Sequence, residues 1–141
     1  MMYRAEQLYQ LIPQRPPIVM VDVVWSATET EAETGLTVTA DNIFVRNGHF
    51  REPGLIEHIA QSAAAFAGCG TFLRGEEPKL GFIGEIKDCV LNMLPEVGTQ
   101  LRTHIQLVTE VNGIRLISAE TRIEGEMVAS CIMKIFLKDD E

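Results

Sequence analysis

The residues best suited to chemistry lie in one short stretch. Gly48-His49-Phe50 ends a loop, Glu57 follows eight positions after the histidine, and Gln61 lies one helical turn further on. Glu57 falls in the first turn of an almost wholly apolar segment, residues 54–73, opened by Pro53-Gly54. An imidazole titrates near neutrality, and a carboxyl group enclosed by Ile56, Ile59 and Ala60 is expected to have a raised pKa. Such a pair at the mouth of a hydrophobic compartment suits removal of one proton and delivery of another on a water-poor substrate. Gln61 shares a helix face with Glu57 and is placed to orient the carboxylate or a water. The N–H groups of Gly54 or Leu55, at the helix start, are expected to be free to bond an oxygen on which negative charge develops. Taken singly, each residue also has a plainer role, His49 as a loop side chain capping backbone and Glu57 as a complement to the helix dipole. His58 points about 100° away from Glu57 and reads as structural, at a dimer surface, with a substitute catalytic role as the alternative. His104 reads as a surface or interface residue.

These residues must be held by the elements around them. Residues 4–12 carry apolar positions at 8, 11 and 12, a short amphipathic helix closed by Pro13, Pro16 and Pro17. Ile18 to Trp25 is β-branched and apolar, a buried strand, and Thr34 to Thr39 alternates, a half-buried one, with an acidic turn between them. Residues 40–53 form the loop that ends in the histidine. The segment 54–73 is apolar on nearly every side and predicts a buried helix, with Gly68, Gly70 and Gly75 marking its fraying end. Leu80–Leu94, Gln100–Glu110, Ile114–Ile123 and Met127–Leu137 read as strands, joined by turns at Pro95-Glu96-Val97-Gly98, Val111-Asn112-Gly113 and Glu124-Gly125-Glu126. The expected class is α+β, one domain over 1–141, with an antiparallel sheet wrapped around a long central helix.

Composition narrows the function classes. The 141 residues carry a net charge of −8 with no basic stripe, which argues against a nucleic-acid partner. No apolar run reaches membrane-spanning length and the first residues lack a signal-peptide pattern, so the expected location is cytoplasmic. Cys69, Cys89 and Cys131 show no paired spacing and read as small buried hydrophobes, leaving disulfides and metal sites without support. No organic cofactor is expected, for want of a Gly-rich phosphate loop. An acidic protein partner would need a local basic patch, for which Arg46, Arg51, Arg74 and Lys79 are the available contributors.

The order of elements, with Gly48-His49-Phe50 before the central helix, resembles the hotdog fold, and more closely the β-hydroxyacyl-acyl-carrier-protein dehydratase family. Leu11-Ile12-Pro13-Gln14-Arg15-Pro16-Pro17 through Asp22 is similar to that family's opening segment, Gly48-His49-Phe50 to its catalytic-histidine motif, and Pro53-Gly54 with Glu57-His58-Ile59-Ala60-Gln61 to its helix motif. Phe82-Ile83-Gly84 falls where the family has the strand after the helix, which implies substrate contact at Phe82 and Gly84. Two departures stand out: the stretch between His49 and Glu57 is shorter than the family's usual loop, and Gln14 replaces its usual histidine. The short loop resembles divergent dehydratases of aryl-polyene and related pigment pathways.

The resemblance implies dehydration of a 3-hydroxyacyl thioester to the trans-2-enoyl thioester. His49 would act as base at the α-carbon and Glu57 of the partner subunit as acid at the leaving hydroxyl. Gly54 or Leu55 would bond the thioester oxygen. The substrate would arrive on acyl carrier protein, its phosphopantetheine arm included, and the chain would be a homodimer or a higher homo-oligomer. Two other readings stay open: an acyl-thioesterase in which Glu57 activates water, and a non-catalytic acyl-binding subunit paired with an active homologue.

Overall fold

The computed structural model describes residues 2–73, Gly75 and residues 81–137. Arg74, Lys79 and Leu80, all used above, lie outside the described residues. A seven-stranded antiparallel sheet curls around one long helix. In chain order the strands are β1 (Tyr3–Arg4), β2 (Val23–Ala27), β3 (Glu31–Thr37), β4 (Val45–Arg46), β5 (His49–Phe50), β6 (Gly81–Leu91), β7 (Gln100–Val111), β8 (Ile114–Ile123) and β9 (Glu126–Leu137). The helix α1 spans Glu52–Leu73. The sheet order is β1-β2-β3-β7-β8-β9-β6, and β4 pairs only with β5.

The core lies between α1 and the concave face of the sheet. Leu55, Ile59, Ala63 and Phe66 pack on Ala32 and Leu36, on Leu101 and Ile105, and on Ile117, Ala119, Cys131 and Met133. A second cluster joins Leu8, Leu11 and Ile12 to Val21, Val24, Ala65 and Cys69, so the N-terminal segment closes the other side of the helix. Gly68 is part of this closure rather than a fraying end. A Cβ there would lie 1.9 Å from the Leu11 carbonyl oxygen, so only glycine lets the segment approach this closely. The hairpin turns at 112–113 and 124–125 have positive φ at both central residues, as two-residue hairpins require.

Several elements differ from their sequence reading. The first helix is a 3-10 turn, Ala5–Gln10, preceded by β1, which pairs with β2. The expected strand from Ile18 begins only at Val23. In its first half only Asp22 N–H bonds to a neighbouring strand, at Gly35 O (2.9 Å), and helix side chains supply partners for Ile18 and Met20. Gln61 Nε2 donates to Ile18 O (2.8 Å), Met20 N–H donates to Gln61 Oε1 (2.6 Å), and His58 Nδ1 donates to Met20 O (2.6 Å). The loop before the helix contains the β4–β5 hairpin, with Asn47 at φ 54° and Gly48 at φ 77°. Cys89 is exposed, whereas Cys69 and Cys131 are buried as expected.

The strand β6 at the sheet edge carries a run of uncovered apolar side chains. Phe82, Ile83, Ile86 and Val90 are all exposed there. The central helix, by contrast, is covered by the sheet on one side and by the N-terminal segment on the other.

Candidate active site

His49 follows the Asn47-Gly48 turn and is fixed from three directions. Its strand pairs with β4, its neighbour Phe50 is buried with its N–H on Pro95 O (2.8 Å), and Val97 N–H donates to Gly48 O (3.0 Å). The imidazole Nδ1 lies 3.0 Å from Asn47 O. A carbonyl only accepts, so Nδ1 carries the proton and, in the neutral ring, Nε2 is left with a lone pair available as a base.

Glu57 is half-buried on α1 and lines a cleft of about 130 Å³. The floor of the cleft is the helix stripe Ala60, Ala63, Ala64 and Ala67, and its walls include Phe66, Ile83, Ile117 and Ile135. Gln61 Nε2 donates to Glu57 Oε2 at 3.1 Å. Because the Met20 N–H can only donate, Gln61 must present its oxygen to it, and both amide protons are left for Ile18 O and Glu57. Gln61 thus orients the carboxylate, as its helical spacing predicts, while also tying the 18–20 segment to the helix. A larger groove of about 700 Å³ lies on the outer face of the sheet, lined by Trp25, Arg102 and Arg122 among others. Its two arginines are paired, Arg102 with Glu33 and Arg122 with Glu120, and it holds neither His49 nor Glu57.

His58 is neither at a surface nor poised for catalysis. It is fully buried, and its Nε2 lies 2.7 Å from Thr103 Oγ1, which lies 2.7 Å from Thr121 Oγ1. With Nδ1 donating to Met20 O, Nε2 must accept from Thr103, so the chain of protons runs from Thr121 through Thr103 to the ring. Burial holds the His58 pKa down to about 4, with the Met20 carbonyl offsetting only part of that effect. Burial likewise pushes the Cys69 and Cys131 thiols up to about 11, which makes both poor nucleophiles.

Within the single chain, the residues expected to contact substrate are placed as follows. Because α1 starts at Glu52, Leu55 N–H already closes the first regular helical bond, to Arg51 O (3.2 Å), and is not free. Gly54 N–H makes an additional, tighter-turn bond to the same oxygen (2.9 Å), so of the two it is the one that can turn to a ligand without breaking a regular helical bond. The side of Gly54 is filled: a Cβ would meet Phe50 and Phe44 at 2.6–2.7 Å. On β6, Ile83 and Gly81 line the cleft, whereas Phe82 pairs with Phe136 on the opposite, outer face. Gly84 is likewise not in the cleft; it makes room for the Phe136 ring, which lies 2.0 Å from where its Cβ would be. His49 does not line the Glu57 cleft of its own chain. Among the described residues, no three His, Cys, Asp or Glu side chains gather to hold a metal ion.

The Asn47-Gly48 pair was the readable signal for the hairpin that positions His49. Arg115 and Glu110 had no comparable signal. Arg115 lines the cleft with its guanidinium 5.8 Å from the Phe66 ring centre, and its Nε donates to Glu110 Oε2 (2.6 Å).

Comparison with known proteins adds the following. The family model described as ApeP-like, ApeP dehydratase, matches residues 6–141. A 3-hydroxyacyl-[acyl-carrier-protein] dehydratase FabZ of Bacillus cytotoxicus is 31% identical over 135 residues, covering 90% of each chain. The FabZ of Exiguobacterium sibiricum is 30% identical over 144 residues, covering 97% of this chain and 100% of its own. Among solved structures, the dehydratase heterocomplex ApeI:P from Xenorhabdus doucetiae superposes with a TM-score of 0.87 at 17% identity, covering 94% of this chain and 91% of that one. A hypothetical thioesterase from Streptococcus pneumoniae, solved with coenzyme A, gives 0.66 at 10% identity, covering 84% and 86%. At these identities the structures show the fold, and it is the hotdog fold.

Proposed function

The chain belongs to the ApeP-like dehydratase family, and from that premise we propose that it dehydrates a 3-hydroxyacyl thioester on acyl carrier protein to the trans-2-enoyl thioester, in fatty-acid-like or polyene biosynthesis. The observation that carries this reading is Glu57, held by Gln61 at the lip of an apolar cleft. His49 Nε2 takes the α-proton. Gly54 N–H bonds the thioester oxygen as negative charge develops there, its bond to Arg51 O being the one that can be shared. Glu57 gives its proton to the 3-hydroxyl, which leaves as water as the α,β double bond forms.

His49 and Glu57 come from different copies in this reading. It is supported by the absence of His49 from its own chain's cleft and by β6, an edge strand with unpaired backbone and exposed Phe82, Ile83, Ile86 and Val90. Pairing of β6 with β6 of a second copy gives a homodimer with two composite sites. A shallow pocket of about 350 Å³ beside the helix start contains Arg46 and Arg51, the latter 3.5 Å from Glu52 in the same pocket, and these two are the basic contacts assigned to an acidic carrier protein in a chain of net charge −8. The same reading places the protein in the cytoplasm. Among the described residues, no helix is long and apolar enough to cross a membrane.

The test is turnover of a 3-hydroxyacyl carrier-protein thioester by the wild type, His49→Ala and Glu57→Gln. Loss of activity in both variants, each folded, supports the assignment, and wild-type rates in both refute it. One other reading has an observation in its favour: an acyl-binding subunit that works only beside a sister chain, as the heterocomplex among the structural relatives suggests. It predicts no turnover by this chain alone and recovery on adding the sister subunit.

A further inference from the structure

The turn of α1 that carries Glu57 and Gln61 also carries His58, which is enclosed on every side. We propose that His58 is a positioning residue for the reaction: through Met20 and Gln61 it fixes the direction in which Glu57 presents its carboxyl group. This rests on the reading of Glu57 as the acid of a dehydratase.

The contacts form one unbroken chain. Thr121 Oγ1 and Thr103 Oγ1 lie 2.7 Å apart, and Thr103 Oγ1 lies 2.7 Å from His58 Nε2. His58 Nδ1 donates to Met20 O (2.6 Å), Met20 N–H donates to Gln61 Oε1 (2.6 Å), and Gln61 Nε2 donates to Glu57 Oε2 (3.1 Å). A carbonyl only accepts, so donation from the threonines runs one way, through the ring to Met20 O. His58 and Gln61 therefore hold Met20 by its two backbone polar groups, one on each side of its Cα. Held at both, Met20 gives the oxygen of Gln61 a fixed donor to face, and the other end of that amide points at Glu57. With the carbonyl released, Gln61 is the helix side chain left to hold residues 18–20, and its amide follows that segment instead of the carboxylate.

Packing alone does not call for this polar row. Elsewhere α1 meets the sheet through Leu55, Ile59, Ala63 and Phe66, packed on apolar side chains. A satisfied polar row in a core adds orientation, since each member has one geometry that suits its neighbours. His58, Gln61, Thr103 and Thr121 have no exposed surface, whereas Glu57 is half-buried and reaches the cleft. The rigid end of the row is thus enclosed, and its free end is the group that must meet substrate. A displacement of about 1 Å at a reacting group costs on the order of 100-fold in rate, even when its cause lies away from the chemistry.

The experiment compares His58→Asn with His58→Gln. The asparagine amide nitrogen stands where Nδ1 does, so it still donates to Met20 O but does not reach Thr103. The glutamine amide extends to the place of Nε2, where it meets Thr103, and leaves Met20 O without its donor. Each variant loses one of two buried bonds, so a merely structural role makes them alike, whereas positioning through Met20 makes them differ. On a 3-hydroxyacyl carrier-protein thioester, His58→Asn should keep most of the wild-type kcat. His58→Gln should lose kcat by about 10- to 100-fold with KM little changed. Solvent exchange of the Gln61 side-chain amide protons, assigned by their absence in Gln61→Glu, reads the same contact without turnover. It should be slow in the wild type and in His58→Asn, and faster by about tenfold or more in His58→Gln. Equal kcat in the two variants, or equal amide exchange, would each overturn the proposal. So would nitrogen NMR of the wild type that places the ring proton on Nε2, a result that decides even if neither variant folds. Amide exchange that separates the variants, with no dehydration by the wild type, leaves the hold on Glu57 standing and removes the dehydratase reading.

Discussion

Acidification should weaken this fold through His58. The ring is fully buried, donates to Met20 O and accepts from Thr103, and its pKa is about 4 against 6.5 for an exposed histidine. The unfolded chain takes up a proton below 6.5 that the folded chain refuses until about 4. Stability from this group is therefore complete above 6.5 and is lost as the pH falls toward 4. Between pH 7 and pH 5 the loss is about 2 kcal/mol, and below the folded value it approaches ~3 kcal/mol, at ~1.4 kcal/mol per pKa unit. Asp22 works in the opposite direction, since burial raises its carboxyl and favours the fold at the acid end. The pH dependence should be measured by urea unfolding at fixed protein concentration, for the wild type and for His58→Gln. The variant should be less stable at pH 7 by about 1–3 kcal/mol, because one amide cannot serve both partners, and should lose most of the dependence between pH 7 and 5. Wild-type stability that is level over that interval, or an equal slope in the variant, would refute the account of a neutral, enclosed imidazole.

Further outcomes follow from individual contacts. Gln61→Leu strands Met20 N–H, Ile18 O and one contact to Glu57, so it should destabilise by about 2–5 kcal/mol in chemical denaturation and lower turnover through the freed carboxylate. Gly68→Ala forces Leu11 away from the helix, and its unfolding free energy should drop by about 1–3 kcal/mol or more, accompanied by faster proteolysis of the first residues. His49→Gln should reduce kcat by about 10²–10⁴-fold, the range for loss of a general base, with melting temperature unchanged within error. Ile86→Lys on the exposed edge strand should shift sedimentation toward the monomer and reduce activity together; an active monomer would contradict a site composed from two copies.

Most of the architecture was readable because it is set locally. Strand alternation, the Asn-Gly and Glu-Gly turns and the long apolar run 54–73 report φ/ψ preference and which faces want burial. The order of elements and the spacing of His49, Glu57 and Gln61 are properties of the chain alone, and the carboxylate–amide contact that this spacing predicts on α1 is present at 3.1 Å. Even the hairpin that carries His49 was written in Asn47-Gly48.

What the tertiary structure decided was how polar groups distant in sequence satisfy one another. Apolar composition at 18–22 looks like any buried strand, yet three of its backbone groups, Ile18 O, Met20 N–H and Met20 O, are bonded by side chains 38 to 43 residues away, on a helix face that periodicity treats as plain core. The same packing gave His58, adjacent to Glu57, complete enclosure, left Glu57 at a cleft, turned Ile83 inward with Phe82 outward, and left Gln14 Oε1 without a donor. Pattern reports which residues avoid water, whereas the partner of each buried donor and acceptor is a property of the assembled chain.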